Sequence, residues 1–482
     1  MQSHNLSKRG LKMANERMMD YLQSRIEGIG FRDLYDFVVD KDVCVFCATC
    51  ASICPRIGLE EKEPKLMEYD PTCSMCFRYC ARTYFPEEEV EKEFLGGQRT
   101  NFLLGYYQKA TAAKSTDPAV LDVAQNGGVV STLLIQALET GLIDGALLTA
   151  KAANWVPKPV VARTKEEILA AAGSRYTMAP SLLPYSEAIY EYELEKIGFV
   201  GMPCQIQAAR KLQMWPPLSD ALGKITLIIG LFCSSNFSMD LLKQTVYQDM
   251  GIPLSEVKKF DIARGKFFVY TKDGAVKDLP IKETKVHNWA SCQYCKDYTA
   301  EFADIAAGSV GAPADDWNTV IVRSDVGAQL FDGTVTAGKI TVADTLDLSK
   351  VEKESLRKKS QLAKVDERVT SALKFLAPEV DAKTYSTLVS LGYADVAMLA
   401  KVMKAEETEV RNALNSLKQQ EWVFITDNAY RPVDPSQVVK IEIGKFEKGI
   451  KSIKADALVY LQTLFIQNNL QHLRYKEFMD LI

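Results

Sequence analysis

The sequence contains no apolar run long enough to cross a membrane. Its longest largely apolar run, Ile225–Cys233, is interrupted by Thr226 and Gly230 and falls far short of the roughly 20 residues that a membrane-spanning helix needs. The amino-terminal stretch MQSHNLSKRGLKMANERMMDYLQ also lacks the apolar core of a signal peptide. We therefore expect no transmembrane segment and a cytoplasmic location, where thiols stay reduced.

An excess of positive charge and the common phosphate-binding motifs are absent as well. Lys and Arg together number 58 against 62 Asp and Glu, and the resulting net charge of −4 gives no general attraction for nucleic acid. Neither GxGxxG nor GxxxxGK[ST] occurs, which excludes a standard Rossmann fingerprint and a P-loop. The 482 residues, 47% hydrophobic and 25% charged, have the composition of a globular protein of about three domains.

Cysteine, by contrast, is plentiful. In a reducing compartment, eleven cysteines indicate metal ligands rather than disulfides. The run Cys44-x2-Cys47-x2-Cys50-x3-Cys54-Pro55 has the spacing found in bacterial ferredoxins. In that pattern three thiolates hold one cluster, and the fourth, before the proline, reaches a second cluster. The run therefore predicts iron–sulfur clusters.

A second run, Cys73-x2-Cys76-x3-Cys80, fits the last three cysteines of the same pattern, with Asp70 in the register of the missing first one. Two-cluster ferredoxin pairing then assigns Cys44, Cys47, Cys50 and Cys80 to one cluster. It assigns Cys54, Cys73 and Cys76 to the other, with Asp70 as the possible fourth ligand. The alternative is that Asp70 only caps the turn before Pro71. The second cluster would then be three-iron, have an open iron, or be absent.

The remaining four cysteines lie further along the chain. Cys204 and Cys233 each follow an apolar, strand-like run, and Cys292-x2-Cys295 forms a close pair. Because open α/β sheets place their ligands at strand ends, these four thiolates could gather around zinc or an iron–sulfur cluster. The alternative is a zinc-binding pair plus two buried free cysteines. Three four-iron clusters need twelve ligands, so Asp70 would complete the set of eleven cysteines.

An α/β pattern begins after residue 110. Asp117–Gln125 indicates a short helix, and the turn Asn126-Gly127-Gly128 opens a second helix that runs to Glu139. A Gly-Gly turn at a helix start exposes backbone N–H groups that suit a phosphate. The alternative is that these residues form only a turn.

Two further stretches offer groups for an anion or a planar ring. The stretch AAAGSRYT presents Arg175 and Tyr176 beside a glycine. Residues Phe260–Tyr270, followed by LPIKE, indicate a β-hairpin with Asp273-Gly274 at its turn. Lys266 in this hairpin is either a phosphate or flavin contact or a solvated strand lysine.

From about residue 346 the pattern becomes mainly helical. Residues 348–378 indicate a charged helical linker. Residues 382–433 then have the order of a winged helix, with helices at Ala382–Leu391, Asp395–Met403 and Glu406–Gln420 before a hairpin. The third helix, EETEVRNALNSLKQQ, is not basic, so we favour protein docking over DNA binding for this region.

Many segments taken in order resemble the coenzyme F420-reducing hydrogenase beta subunit family. They are NFLLGYYQKATAAKSTDP, AQNGGVVSTLLIQALETGLIDGAL, AAAGSRYT, GMPCQIQAARKLQ, IGLFCSSNF, GKFFVYTKDG, LPIKET and CQYCKDYTAEFADIAAGSVGAPADDWNTVIVR. The wider family includes beta subunits of F420-dependent formate dehydrogenase, the F420H2 dehydrogenase input subunit and ferredoxin-dependent 7-hydroxymethyl chlorophyll reductase. The resemblance covers about residues 101–340. The cysteine-rich segment before it is similar to that of the F420H2 dehydrogenase input subunit.

The resemblance implies one FAD and one [4Fe-4S] cluster in the core. The implied cluster ligands are Cys204, Cys233, Cys292 and Cys295. The flavin contacts implied by the resemblance are Asn126, Gly127, Gly128, Ser131, Gly173, Arg175, Tyr176 and Lys266.

The implied activity is hydride exchange between coenzyme F420, a 5-deazaflavin, and FAD, followed by single-electron transfer through the clusters. FAD is needed because deazaflavins exchange hydride and clusters exchange single electrons. The chain has three histidines, and hydride transfer needs no histidine base. The implied partners are subunits of a hydrogenase, dehydrogenase or heterodisulfide-reductase-type complex, or ferredoxin, within methanogenesis. Two alternatives remain, namely a ferredoxin-dependent flavin reductase of another substrate and a redox-sensing winged-helix regulator.

The expected fold class is α+β and α/β. We expect a ferredoxin-like di-cluster domain, a mixed α/β flavin-binding core and a C-terminal helical winged-helix-like domain. The expected boundaries are a helical segment at 1–40, the iron–sulfur domain at 41–90, the core at 98–345, a helical linker at 346–380, the winged helix at 381–435 and a helical tail at 436–482.

Overall fold

The computed structural model describes most of the chain in ten stretches. These are residues 30–60, 62–68, 73–83, 85–99, 101–214, 223–363, 373–374, 376–426, 429–445 and 459–465. Asp70 and most of the amino-terminal helix expected over 1–40 lie outside the described residues, as does the greater part of the tail after residue 445. Within the described ranges, no helix combines the length and the apolar character that crossing a bilayer requires.

The cysteine-rich segment consists of short elements. They are helix α1 (Phe31–Leu34), which continues as a π-helix over Tyr35–Val39, then α2 (Thr49–Ser52), the hairpin β1 (Ile57–Glu60) and β2 (Glu63–Leu66), and α3 (Met75–Tyr79). Helix α2 packs against α3, and each carries a cysteine of one run, Cys50 and Cys76 respectively. The segment is therefore a group of short helices and one hairpin that carries the two cysteine runs. A two-cluster ferredoxin fold stays a prediction.

The centre of the molecule is an eight-stranded mixed sheet. Its strands in chain order are β3 (Lys109–Ser115), β4 (Gly145–Lys151), β5 (Pro157–Ala162), β6 (Ile197–Gly201), β7 (Ile225–Leu231), β11 (Ile305–Gly308), β12 (Asn318–Val322) and β13 (Ile340–Ala343). Their spatial order is β13-β3-β12-β11-β7-β6-β4-β5. The four inner strands β11, β7, β6 and β4 are parallel, whereas the outer pairs are antiparallel. The carboxyl ends of β4, β6, β7 and β11 therefore meet at one edge of the sheet.

Helices connect the strands and cover the sheet. They are α4 (Glu87–Val90), α5 (Pro118–Val123), α6 (Val129–Glu139), α7 (Lys165–Ala171), α8 (Tyr185–Tyr190), α9 (Pro203–Met214) and α10 (Asp325–Thr336). The short helix, the strand and the strand–turn–helix expected near 117–150 and 197–211 are present with ends shifted by a few residues.

The two faces of the sheet bury two separate cores, because successive strand side chains point in opposite directions. On β7, Leu227 and Ile229 belong to the core shared with α6 and α10. Ile228, between them, belongs to the other core, which also contains Tyr79 and Phe85. The cysteine-rich segment thus contributes its own apolar residues to one face of the sheet.

A separate three-stranded sheet follows β7. It consists of β8 (Val257–Ala263), β9 (Lys266–Thr271) and β10 (Val276–Pro280), all antiparallel. The sequence predicted one hairpin with a turn at Asp273-Gly274. The structure adds a second turn at Arg264-Gly265, where both residues have positive φ (52° and 74°), and so makes a meander.

The carboxyl-terminal region has the expected winged-helix order. Helix α11 (Leu348–Ser360) leads into α12 (Glu379–Leu391), α13 (Val396–Met403), α14 (Glu407–Gln419), the hairpin β14 (Val423–Thr426) and β15 (Ala429–Pro432), and α15 (Pro435–Lys445). Tyr385 and Trp422 meet edge-to-face in its core, with ring centroids 5.2 Å apart. This region therefore has a hydrophobic core of its own.

Two charged stretches of the chain are ordered and partly buried, and the second belongs to the expected helical linker. Near residues 87–99, Glu91 is 1% exposed and pairs with Arg99. Arg99 also pairs with Glu301 of the core at 2.9 Å. In α11, Lys359 is 2% exposed and pairs with the same Glu301. Each of these buried charges has a partner of opposite charge, and Glu301 of the core pairs with a cation from both stretches.

Candidate functional site

The first cysteine set consists of Cys44, Cys47, Cys50 and Cys80. All eleven cysteines of the chain are free thiols. Burial raises the pKa of Cys44 to about 12, and the neighbouring Cys80 thiol contributes to the increase. Burial likewise raises the pKa of Cys50, with Cys47, Cys44 and Cys80 as the next contributors. The structure thus brings the four cysteines of this predicted set together, with Cys47 buried and the other three half-buried.

Local backbone geometry supplies donors to this set. Phe46 and Ala48 have positive φ values of 46° and 67°, which non-glycine residues rarely adopt and which concentrate at ligand-binding loops. The Phe46 N–H points to the Cys44 sulfur at 3.4 Å. The Arg82 N–H points to the Cys80 sulfur at 3.3 Å. Such N–H donors stabilise sulfur in its thiolate form.

The second set is less complete within the described residues. Burial raises the pKa of Cys76 to about 12, and the nearby thiols of Cys73, Cys54 and Cys80 contribute to the increase. Cys54, Cys73 and Cys76 therefore come together, next to the first set through Cys80. Asp70 cannot be placed relative to them, since it lies outside the described residues.

The third set lies at the edge where the parallel strands end. Cys204 is in the first turn of α9, directly after β6, and Cys233 follows β7. Burial raises the pKa of Cys204, and Cys295, Cys233 and Cys292 are among the groups that add to the effect. The strand-end placement expected from the sequence therefore gathers these four thiols, which we call the core set.

Helix α11 closes over the core set. Its Lys358 donates from Nζ to the carbonyl oxygen of Cys233. Just beyond the helix, Gln361 donates from Nε2 to the carbonyls of Cys292 and Cys295, both at 3.0 Å. Burial disfavours the Lys358 charge, but the thiolates of Cys295, Cys233 and Cys292 outweigh it and raise its pKa. No local pattern in the sequence pointed to these contacts, because the partners lie 66 to 125 residues away.

The core set adjoins the first set through a chain of hydrogen bonds. The Asn236 N–H donates to the Cys292 sulfur at 3.3 Å, and the Trp289 N–H donates to the Asn236 carbonyl at 2.7 Å. The indole Nε1–H of Trp289 then donates to the Cys44 carbonyl at 2.8 Å. Trp289 therefore links the loop of one cysteine set to the loop of the other.

The surroundings of these thiols suit iron–sulfur clusters. Within the described ranges, no three His, Cys, Asp or Glu side chains are arranged to hold one metal ion. In a four-iron cluster each thiolate binds a different iron, so the sulfurs stand further apart than around one zinc ion. Burial, N–H donors to sulfur and adjacent cations are features that favour such a cluster. The residues present therefore fit iron–sulfur clusters.

The glycine turn before α6 is tightly packed. A Cβ on Gly127 would lie 2.9 Å from the Ala113 carbonyl oxygen and 2.9 Å from Oδ1 of Asn318. Gly128 has φ +71°, and its Cβ would lie 2.8 Å from Val120. Both glycines are therefore required by the fold. Gly128 itself provides no capping side chain, and the Val129 N–H at the start of α6 donates to Oδ1 of Asn318 at 3.4 Å. Ser131 in the same turn is half-buried.

Gln125 joins this turn to the loop that carries Gly173, Arg175 and Tyr176. Its Oε1 accepts from the Ser174 N–H at 3.3 Å, and its Nε2 donates to Asp261 at 3.1 Å. Next to it, Asn126 donates to the Asp315 carbonyl at 2.8 Å. The structure thus places these expected flavin residues side by side. Gln125 was not among the residues expected near the flavin. Its position directly before the Asn-Gly-Gly turn is the one sequence signal that could have pointed to it.

Arg175 has a positive charge without a carboxylate partner among the described residues. Its guanidinium bonds there to the carbonyl oxygens of Ala172 at 3.1 Å and Ser174 at 3.3 Å, and its buried Nε has no acceptor in the described ranges. Burial lowers its pKa to about 10, so it remains protonated near neutral pH. An anion beside it would gain a charge-assisted hydrogen bond.

Lys266 is in a different situation. It lies at the start of β9, is half exposed and pairs with Asp278 at 2.8 Å. No bond joins it to the Gly127-Gly128 turn within the described residues. Its role as a flavin contact stays a prediction, and the solvated strand lysine remains the alternative.

Comparison with known proteins identifies the family of the core. A family model described as coenzyme F420 hydrogenase/dehydrogenase, beta subunit N-term, matches residues 110–184, and the corresponding C-terminus model matches 194–347. The coenzyme F420 hydrogenase subunit beta of Methanothermobacter thermautotrophicus is 42% identical over 238 residues, which cover 49% of this chain and 84% of that protein. This chain belongs to the coenzyme F420 hydrogenase/dehydrogenase beta subunit family.

Two other relatives extend the comparison. One of the F(420)H(2) dehydrogenase subunits of Methanosarcina mazei is 34% identical over 311 residues, 61% of this chain and 83% of that protein. The F420-reducing [NiFe] hydrogenase complex of Methanosarcina barkeri contains a protein that is similar in structure. The TM-score is 0.52 at 39% identity, with 56% of this chain and 94% of that protein covered. These matches confirm the expected family and its mixed α/β core.

The winged-helix region has a match of its own. A model described as sugar-specific transcriptional regulator TrmB matches residues 378–436. This confirms the expected winged-helix character of the region and joins it to a beta-subunit-family core in one chain.

Proposed function

We propose that this chain is an oxidoreductase subunit that exchanges hydride between coenzyme F420 and FAD and passes single electrons through [4Fe-4S] clusters to or from a partner. The observation that carries the proposal is the adjacency of the core set and the first set through Trp289 and Asn236. A protein that only exchanged hydride would not need two thiol sets whose loops are joined by hydrogen bonds. The names of the relatives supply coenzyme F420 as the hydride donor or acceptor.

The residues have distinct roles in this proposal. The core set, Cys204, Cys233, Cys292 and Cys295, holds one cluster at the strand ends. The backbone at the start of α6 and the Arg175 guanidinium bind the anionic part of FAD. When bound, FAD supplies the exchange between hydride and single electrons. The two cysteine runs before the core hold the clusters that lead towards a partner.

The chain acts as one subunit of a larger assembly. It offers a hydride site and a series of thiol sets, and the relatives are named as subunits of a hydrogenase and a dehydrogenase. We propose a hydrogenase, dehydrogenase or heterodisulfide-reductase-type partner, or ferredoxin. The second cysteine set, Cys54, Cys73 and Cys76, is the point of electron exit or entry.

The match to a transcriptional-regulator family favours a second candidate, a redox-sensing regulator. The structure of the wing argues against it. Arg431 of β15 is 1% exposed and donates to Glu88, so the basic side chain of the wing is used inside the protein. The exposed face of α14 presents Glu407 and Glu409 as well as Arg411 and Lys418, and so has no basic stripe for DNA. Salt-dependent duplex binding in a gel shift would support the regulator instead.

Anaerobic reduction of the full chain by F420H2 tests the proposal. The purified protein should contain FAD and iron, and F420H2 should bleach first the flavin absorbance and then the cluster absorbance. In Cys292→Ser, the flavin should still bleach while reduction of the remaining clusters slows strongly. Absence of flavin, or a flavin that F420H2 does not reduce, would contradict the proposal. Reduction by ferredoxin but not by F420H2 would point to the flavin-reductase alternative.

A further inference from the structure

Arg82 lies between the first set and the core set. It follows Cys80 by two residues and is 7% exposed. Its backbone N–H donates to the Cys80 sulfur at 3.3 Å, and its side-chain Nη2 donates to the carbonyl of Ser291 at 3.3 Å. Ser291 directly precedes Cys292 of the core set. One residue therefore has its backbone bonded to one set and its guanidinium bonded to the loop of the other.

The Arg82 charge has no protein counterion in the part of the chain that the structure describes. No carboxylate pairs with it there, and its buried Nε has no acceptor. A buried cation without a nearby negative charge is costly. Clusters held by four thiolates are anionic, because the thiolates outweigh the positive charge of the iron–sulfur core. The first and core sets are therefore the negative charge that this guanidinium faces.

The electrostatics of the thiols agree with this position. Burial raises the pKa values of these thiols, and Arg82 opposes that effect in both sets. It does so at Cys44, Cys47 and Cys80 of the first set and at Cys204 and Cys292 of the core set.

Two buried lysines provide a contrast, since each contacts one set. Lys211 donates from Nζ to the Cys80 carbonyl at 2.6 Å and to Thr83 at 2.8 Å, on the side of the first set. Lys358 donates to the Cys233 carbonyl and faces the core set. Arg82 alone of these three bonds to both loops.

We propose that Arg82 is a positioning residue shared by two clusters, whose fixed charge raises the reduction potentials of the core cluster and the first-set cluster together. Reduction adds one electron to a cluster and makes it more negative, and a nearby positive charge in a poorly solvated site stabilises that form. Because the charge acts on both, it raises the two potentials together and changes the difference between them little. The inference rests on the clusters of the proposed function.

The test is an anaerobic redox titration of the full chain with dithionite and mediators, followed by electron paramagnetic resonance. Arg82→Gln retains a donor for Ser291 and removes the charge, whereas Arg82→Lys retains the charge. Lys358→Met is the matched control, since it removes a buried charge beside the core set only. Iron content and circular dichroism of each variant are measured alongside.

Arg82→Gln should lower two of the cluster potentials, changing the reduced-to-oxidised ratio at fixed solution potential on the order of tenfold, or about 59 mV for a one-electron couple. Arg82→Lys should stay close to the unchanged protein, and Lys358→Met should lower one potential only. A shift in Arg82→Gln that is confined to one cluster, or no shift, overturns the inference. If Arg82→Gln loses iron, the titration of Arg82→Lys tests the inference instead. A potential shift in only one cluster of Arg82→Lys also overturns the inference.

The titration separates this inference from the proposed function, since dithionite reduces clusters without coenzyme F420. Paired shifts in a protein whose flavin does not react with F420H2 would uphold the role of Arg82 and reject the proposed hydride chemistry. If F420H2 bleaches the flavin but Arg82→Gln shifts the potential of only one cluster, the hydride chemistry is supported and the role of Arg82 is rejected.

Discussion

Lys296 donates a hydrogen bond from its Nζ to the carbonyl oxygen of Leu391, 2.7 Å away and 95 residues later in the chain. Lys296 directly follows Cys295 of the core set, and Leu391 ends helix α12 of the winged helix. The same Nζ pairs with Glu87 at 2.7 Å. The winged-helix region is thus hydrogen-bonded to the loop that carries two of the core cysteines.

Gly128→Asp should abolish flavin binding. The substitution forces a side chain into a left-handed position 2.8 Å from Val120 and places a carboxylate where the anionic part of FAD approaches. Gly141→Asp is the matched control, because Gly141 also has positive φ (67°) at the other end of the same helix, with open space around it. Flavin released on denaturation measures both. Full retention of FAD in Gly128→Asp would mean that the flavin site lies elsewhere, and release of FMN would exclude FAD.

Gln361→Ala should make the core cluster more sensitive to air. The amide of Gln361 bonds to the carbonyls of both Cys292 and Cys295, and its loss frees the loop that they share. We expect a several-fold faster loss of iron from one cluster on exposure to oxygen. Lys353→Ala, an exposed change in α11, should lose iron at the rate of the unchanged protein. Equal rates in both variants would show that the hydrogen bonds of Gln361 do not protect this site.

Glu301→Gln should destabilise the fold by about 3–5 kcal/mol, because it removes the carboxylate that pairs with the buried Lys359. It also removes one of the carboxylates around Arg99, which keeps Glu87 and Glu91. Glu60→Gln, which removes one exposed pair with Lys65, should cost about 1 kcal/mol or less. Denaturant unfolding of the two variants gives the comparison. Similar losses in both would show that the buried network contributes little.

The same carboxyl predicts part of the acid response. Burial would raise the pKa of Glu301, but Lys359 and Arg99 outweigh burial and lower it. A lowered folded-state pKa contributes stability above the unfolded value of about 4.3, and this stability is lost as pH falls through the folded value. Glu301→Gln should therefore flatten the stability profile below about pH 5. An unchanged slope in that range would reject the assignment.

Asp70→Cys should change the second ferredoxin-type cluster. A carboxylate binds iron less covalently than a thiolate, so a site with Cys54, Cys73, Cys76 and Asp70 should lose one iron on oxidation and give a three-iron signal. The cysteine variant should keep a four-iron cluster with a different potential. Electron paramagnetic resonance before and after oxidation distinguishes the two. An identical spectrum in both proteins would show that Asp70 does not bind iron.

The sequence predicted the cysteine sets because their information is local. The spacing of Cys44, Cys47 and Cys50 indicates a ligand loop, and the apolar runs before Cys204 and Cys233 indicate strand ends. The winged helix was equally predictable from its order of helices and hairpin. The cover formed by α11 was not, because a charged helix is normally solvated. Lys359 can be buried because Glu301 lies beside it in space, and this partner is 58 residues away in the sequence.

The dual core of the central sheet bears on how this protein can change over evolution. Tyr79 and Phe85, from the segment before the family core, pack in the same cluster as Phe199 and Ile228 of the sheet. Deleting the segment would expose the apolar side chains on one face of the central sheet to water. The segment therefore cannot be removed without a replacement that covers this face. A family member without it must cover that face with other residues or with a neighbouring subunit. In this protein the cysteine-rich segment is thus part of the core beneath the sheet.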